Sequence, residues 1–190
     1  MSVGLIVLII VIVLVVGLVL WGMGAYNALV ALRNRVGNGW AQIDVQLKQR
    51  ADLIPNLVET VKGYAAHESQ VFTQVTQARA SALQAAQSGD VAQRIQAENQ
   101  LSRAIMNLQA VAEAYPQLQA NQNFLDLQAQ LKALEEKIAY ARQFYNDVVQ
   151  KYNTKIEVVP TNIIAGLFHF EQATYFQVDE ADRQAPQVKF

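Results

Sequence analysis

The sequence contains no cysteine, and histidine occurs only at His67 and His169. Disulfides, thiolate zinc sites and cysteine nucleophiles are excluded together, and two imidazoles leave little room for metal or acid–base chemistry. Charge is also sparse: Asp, Glu, Lys and Arg make up 16%, against about 25% in an ordinary globular chain. Fifteen basic residues balance sixteen acidic ones to a net charge of −1. With no basic excess and no basic cluster interleaved with aromatics, nothing gathers nucleic acid, and no nucleic-acid partner is expected. The glycines form no phosphate-cradling loop between a strand and a helix, so neither a nucleotide nor any other cofactor is expected. Gln and Ala fill the places that charge leaves empty, which suggests long helices with neutral polar faces.

What the sequence does have is one long apolar run, Val3 to Trp21, reading VGLIVLIIVIVLVVGLVLW, with its first basic side chain at Arg33. At about 1.5 Å per residue, roughly 20 helical residues cross a hydrocarbon core of ~30 Å. Sixteen Val, Leu and Ile side chains, at about −0.3 to −0.6 kcal/mol each, make insertion favourable by on the order of 5 kcal/mol. Val3, Leu5, Ile10, Leu14, Leu20 and Trp21 therefore mark a membrane span whose partner is the lipid bilayer. A cleaved secretory signal fits less well, because the run is long and no basic residue precedes it. Arg33 and Arg35 on the carboxyl side bias that side to the cytoplasm, which places the amino terminus outside.

Residues 1–25 are thus read as an anchor, 26–170 as one helical bundle domain and 171–190 as an extended tail. From Val36 the apolar residues fall three or four apart: Val36, Trp40, Ile43, Leu47, then Ile54, Leu57, Val61 and Tyr64. This is the seam of a helix packed in a bundle, of coiled-coil character, and only Arg50 interrupts it. Pro55 falls within it, so the spacing predicts a kink there or a new helix with Pro55 in its first turn. A helix is predicted from Asn56 to about Ala86. Ser88-Gly89-Asp90 is the clearest break, with Gly ending one helix and Asp90 capping the next, which runs to Tyr115-Pro116. Phe124, Leu127, Leu131, Leu134, Ile138, Ala141, Tyr145, Val148, Tyr152 and Ile156 are again three or four apart and predict a helix of roughly 50 Å. Pro160 ends it, and Thr161 is expected to cap a short apolar helix, Asn162 to Phe170.

Candidate chemistry is thin. His67-Glu68 begins like a zinc motif, but position 71 is Val, so no metal is expected. Asp44, Asp52 and Glu59 are grouped near Pro55, without a His, Cys or serine elbow to work with them. Pairing with the seam-facing Arg50 or with Lys48 is the better reading, and Arg50 is expected to find Asp44, Asp52 or backbone carbonyls.

The stretch Trp40 to Glu68, WAQIDVQLKQRADLIPNLVETVKGYAAHE, resembles the LemA family closely. Ala112 to Pro116 (AEAYP), Asn121 to Phe124 (NQNF), Ala141 to Asn146 (ARQFYN) and Tyr152-Asn153 match the same family. The resemblance covers essentially the whole chain. Gln49 departs from it where a second basic residue is more usual, as does Gly39 where Ala or Ser is common. What the resemblance implies is a single-pass bacterial protein of the inner membrane, all-α, with an amino-terminal transmembrane helix followed by a long antiparallel bundle of three to five helices. It implies no catalytic residue.

Together these readings lead to a non-enzymatic, membrane-anchored helical scaffold that self-associates or holds a partner at the bilayer. The alternative is an accessory or regulatory subunit of an envelope enzyme such as a membrane protease. Trp40, Asp44, Arg50, Asp52, Pro55, Asn56 and Glu59 are the candidate structural or interaction residues. A homo-oligomer is expected through the bundle, since Gly24-xxx-Ala28 is a weak small-residue pair and the span alone is a poor dimeriser. In the tail, Val188 and Phe190 fall on one edge of an extended chain, and docking on the chain's own bundle is preferred there to recognition by another protein.

Overall fold

The structure, a computed structural model, describes residues 2–177. They form helices α1 (Val3–Lys62), α2 (Ser69–Ser88), α3 (Val91–Glu113), α4 (Pro116–Gln119), α5 (Gln122–Glu157) and α6 (Thr161–Leu167). The all-α class follows from the spacing of apolar residues, and no strand occurs among the described residues.

The chain divides into two compact units. One comprises Ala41–Phe144 with the described residues from Thr174 onward; the other comprises the residues up to Trp40 with Tyr145–Ala173. In the first, α1, α2, α3 and α5 pack in an up-down-up-down bundle. Its core draws Ile54, Leu57 and Val61 from α1, Phe72 and Val75 from α2, Leu101, Ile105 and Leu108 from α3, and Phe124 and Leu131 from α5. Arg79 of α2 reaches back to Ala51 and Lys62 lies over the Phe72 ring, so α2 runs antiparallel to α1. Contacts of Arg50 with Glu135 and of Tyr64 with Asn121 give α5 the same antiparallel sense.

The connections follow from turn chemistry. Gly89 ends α2 at φ 72°, a left-handed conformation that costs glycine no steric penalty. Asp90 then caps α3, accepting from the Ala92 and Gln93 amides at 2.8 and 3.2 Å. Pro116 opens the one-turn α4, where its missing N–H is not needed. Asn121 caps α5 by accepting from the Phe124 amide at 3.0 Å, and its amide donates to the Tyr64 hydroxyl at 2.9 Å.

Three expectations are corrected. α1 continues through Pro55 to Lys62, so no new helix begins there. The helix expected from Asn56 to Ala86 is broken by the turn at Gly63–Glu68, where backbone bonds such as Glu68 N–H to the Ala65 carbonyl (3.1 Å) replace the helical ladder. Thr161 does not cap α6; it is the first helical residue and is buried, while Pro160 occupies the cap position without a side-chain bond.

In the second unit, Leu29, Tyr152, Ala165 and Phe170 form the core, with Tyr26, Val36, Ile156 and Ile164 packed against it. α6 ends in a Schellman motif: the Phe170 amide donates to the Ala165 carbonyl (2.9 Å) and the His169 amide to the Gly166 carbonyl (3.3 Å). His169 takes the left-handed position at φ 54°. The turn returns Phe170 to the core beside Ala165, the hydrophobic contact that accompanies this motif. Beyond it, Asn153 holds the chain at Ala173 by two reciprocal bonds of 2.9 Å to that residue's backbone.

Every described residue from Ser2 to Trp21 is exposed. The run is long and apolar enough to cross a membrane, and none of it is buried by protein.

Candidate functional site

Arg50 occupies a seam position, so the helical period that buries Leu47 and Ile54 buries it too. Its side chain is 0% exposed. A guanidinium removed from water needs carboxylates and well-placed acceptors to offset a desolvation cost of several kcal/mol. They come from two other helices. Nη2 donates to Glu98 Oε2 of α3 at 2.5 Å, and Nη1 donates to Glu135 Oε1 of α5 at 2.7 Å and to Ser102 Oγ at 2.9 Å. Nη2 also donates to the Glu98 backbone carbonyl at 3.4 Å, so a backbone carbonyl is among its partners as expected, but neither expected carboxylate is used. Asp52 points to solvent, and Asp44 instead pairs with Arg94 at 3.4 Å.

Glu98 is as deeply buried as Arg50 and sits between two arginines. Its Oε1 lies 2.9 Å from Arg94 Nη2, but off the N–H direction, so the contact is an ion pair without an aligned hydrogen bond. Arg94 is tied down by its other terminal nitrogen, which donates to the Ala82 carbonyl of α2. Arg142 of α5 completes the group, stacked over the Phe176 ring at 4.3 Å. Burial lowers the Arg142 pKa from its ordinary value, as does the Arg50 charge, while Glu135 and Glu98 oppose that shift. Asp44, Glu98 and Glu135 thus face Arg50, Arg94 and Arg142, and the cluster is neutral as a whole.

Such a cluster can specify which helix faces align, because any slip in register would strand a buried charge. It is poorly suited to chemistry. Ser102 Oγ is an acceptor for Arg50 rather than the partner of a base, and His67 is exposed on the turn after α1. No group of three or more His, Cys, Asp or Glu side chains able to hold a metal converges among the described residues.

The remaining candidate residues are dispersed. Trp40 packs edge-on to Tyr145 with ring centroids 5.6 Å apart, and burial pushes the Tyr145 phenol up to about 12. Pro55 and Asn56 are exposed, as is Glu59, which pairs with Lys62 at 3.3 Å. Val188 and Phe190 lie outside the described residues. The residues missed from the sequence are Arg79, Arg94, Glu98, Glu135 and Arg142. For Glu98 a signal existed: the apolar series of α3 skips from Ile95 to Leu101, and the vacancy at 98 mirrors the one at 50.

The chain belongs to the LemA family, whose family model matches residues 39–190. It is 25% identical over 175 residues to magnetosome protein MamQ 1 of Paramagnetospirillum magneticum, covering 80% of this chain and 64% of that one. It is 23% identical over 174 residues to magnetosome protein MamQ of Magnetospirillum gryphiswaldense, with the same coverage. The protein LemA of Metamycoplasma hominis is 24% identical over 163 residues, covering 85% of this chain and 73% of that one. The chain therefore spans a little under two thirds of the magnetosome relatives' length. None of these names states a reaction.

Proposed function

We propose that this member of the LemA family is a non-enzymatic scaffold, anchored in the bacterial inner membrane by Val3–Trp21, whose bundle associates with further copies of itself. The observation that carries the reading is where the bundle keeps its polar and apolar groups. Arg50 and Glu98 are sealed at 0% exposure, where no substrate reaches them, while a shallow groove between α1 and α5 presents Val45 and Tyr140, 53% and 75% exposed, to the outside. Glu136 and Lys137 flank that groove with opposite signs, which suits contact between identical surfaces. Few ions need desolvating there, so helix-to-helix contact costs little.

Tyr140→Glu should lower the oligomeric mass of the full-length protein in mild detergent without lowering its melting temperature. A wild-type protein that stays monomeric across concentrations would overturn self-association. Pull-down separates the alternative, an accessory subunit of an envelope enzyme such as a membrane protease: a scaffold returns mostly itself, a regulator one dominant foreign protein. The orientation proposed has the amino terminus outside and the bundle in the cytoplasm, on the bias of Arg33 and Arg35. A carboxyl-terminal reporter active only in the periplasm would reverse it.

A further inference from the structure

Helix α6 and the turns beside it expose five large apolar side chains: Val158 (41%), Val159 (78%), Ile163 (64%), Leu167 (67%) and Phe168 (52%). The exposure is directional. Thr161 and Ala165 face the protein at 3% and 2%, and Ile163 and Leu167, one turn apart, occupy the opposite side of the helix. No charged residue lies within Thr161–Leu167. A soluble surface rarely concentrates this much apolar area on so short a segment without a partner.

The contacts of α6 with α1 identify the surroundings of that face. A side chain at Gly22 would meet Ile164 Cδ1 at 3.6 Å, and the Tyr26 ring lies 4.7 Å from that of Phe168. Gly22 is the first residue after the span, and Tyr26 follows it by four residues, a rise of about 6 Å in a helix. The headgroup layer on each side of a bilayer is about 5–7 Å thick. Ile164 therefore sits at the hydrocarbon boundary and Phe168 within the headgroup layer. Trp21 and Tyr26 have the aromatic character of residues at that level.

We propose that α6 is a second membrane contact: an interfacial helix whose Ile163, Leu167 and Phe168, with Val159 of the preceding turn, dip into the headgroup–acyl boundary of the bilayer that α1 crosses. The inference rests on the reading of Val3–Trp21 as a span. The occupant is lipid because lipid surrounds a helix at that height, and because the exposed face of α6 offers apolar side chains with no charge to pair.

The absence of cysteine makes the test direct. Single-cysteine variants Ile163→Cys and Leu167→Cys of the full chain, each carrying an environment-sensitive fluorophore, are placed in phosphatidylcholine vesicles. Val13→Cys serves as the reference for the span and Ala120→Cys, exposed beside α4, as the reference for water. Labels at 163 and 167 should emit to the blue of the label at 120, lose intensity to lipid carrying a nitroxide near the headgroup, and resist aqueous iodide. Iodide quenching at 163 and 167 equal to that at 120, with no loss to nitroxide lipid, would overturn the proposal. Shielding from both quenchers would also overturn it, since a protein surface would then cover the face. Dilution into more lipid would show whether that surface is a second copy. If the label at 13 escapes a deep nitroxide, the span reading falls and this inference with it; a buried label at 13 beside aqueous labels at 163 and 167 sinks this inference alone.

Discussion

Arg79 Nε donates at 2.7 Å to the carbonyl of Ala51, the residue four positions before Pro55. In an uninterrupted helix the amide of residue 55 would take that carbonyl, but proline has no N–H to offer. Ala51 is completely buried, so water cannot substitute. A side chain from α2 thus fills the vacancy that Pro55 leaves in α1, and the helix continues.

Removing that donor should expose the debt. Arg79→Ala is expected to destabilise the bundle by about 1–3 kcal/mol, the cost of a buried acceptor left unpaired. In a Pro55→Ala background the new amide serves Ala51, and the cost of Arg79→Ala should shrink by about 1 kcal/mol. Melting the four proteins of this double-mutant cycle checks the coupling; equal costs in both backgrounds would refute it.

Arg50→Ala should destabilise by about 3–5 kcal/mol, because it leaves Glu98 buried between fewer cations than its charge requires. Replacing both with neutral residues, Arg50→Met with Glu98→Gln, should cost less than the sum of the single changes. Denaturant unfolding measures both. An unchanged midpoint for Arg50→Ala would place Arg50 in solvent and reopen a recognition role for it.

His169→Gly is expected to stabilise the second unit by about 0.5–1 kcal/mol. The φ of 54° puts the histidine Cβ close to backbone oxygen, a strain that glycine escapes, although glycine's greater freedom when unfolded takes back part of the gain. A thermal melt of the two proteins reads the effect. A lowered melting temperature would mean that the imidazole itself makes a contact worth more than the strain.

The Tyr145 phenol, raised by burial to about 12, should ionise only above the usual tyrosine range. Its folded value lies above its unfolded value of about 10, so its contribution to stability is complete below pH 10 and is lost as pH rises from about 10 to about 12. Absorbance at the tyrosinate band should show a late step that Tyr145→Phe removes. Titration of all tyrosines together near pH 10 in folded protein would contradict the burial of this ring.

Local pattern carried much of this fold. The apolar run from Val3 to Trp21, the Ser88-Gly89-Asp90 break and the seam from Phe124 to Ile156 were legible, because composition, capping and a three-to-four spacing each report on neighbours within a turn or two. That Arg50 faces inward was legible for the same reason. Its partners were not: Glu98 and Glu135 lie 48 and 85 residues away, and their choice over Asp44 and Asp52 depends on which helices are brought beside α1. The passage of α1 through Pro55 was likewise decided by Arg79, 28 residues from Ala51. Periodicity tells a side chain which way to point, but only the packing of whole helices determines what it meets there.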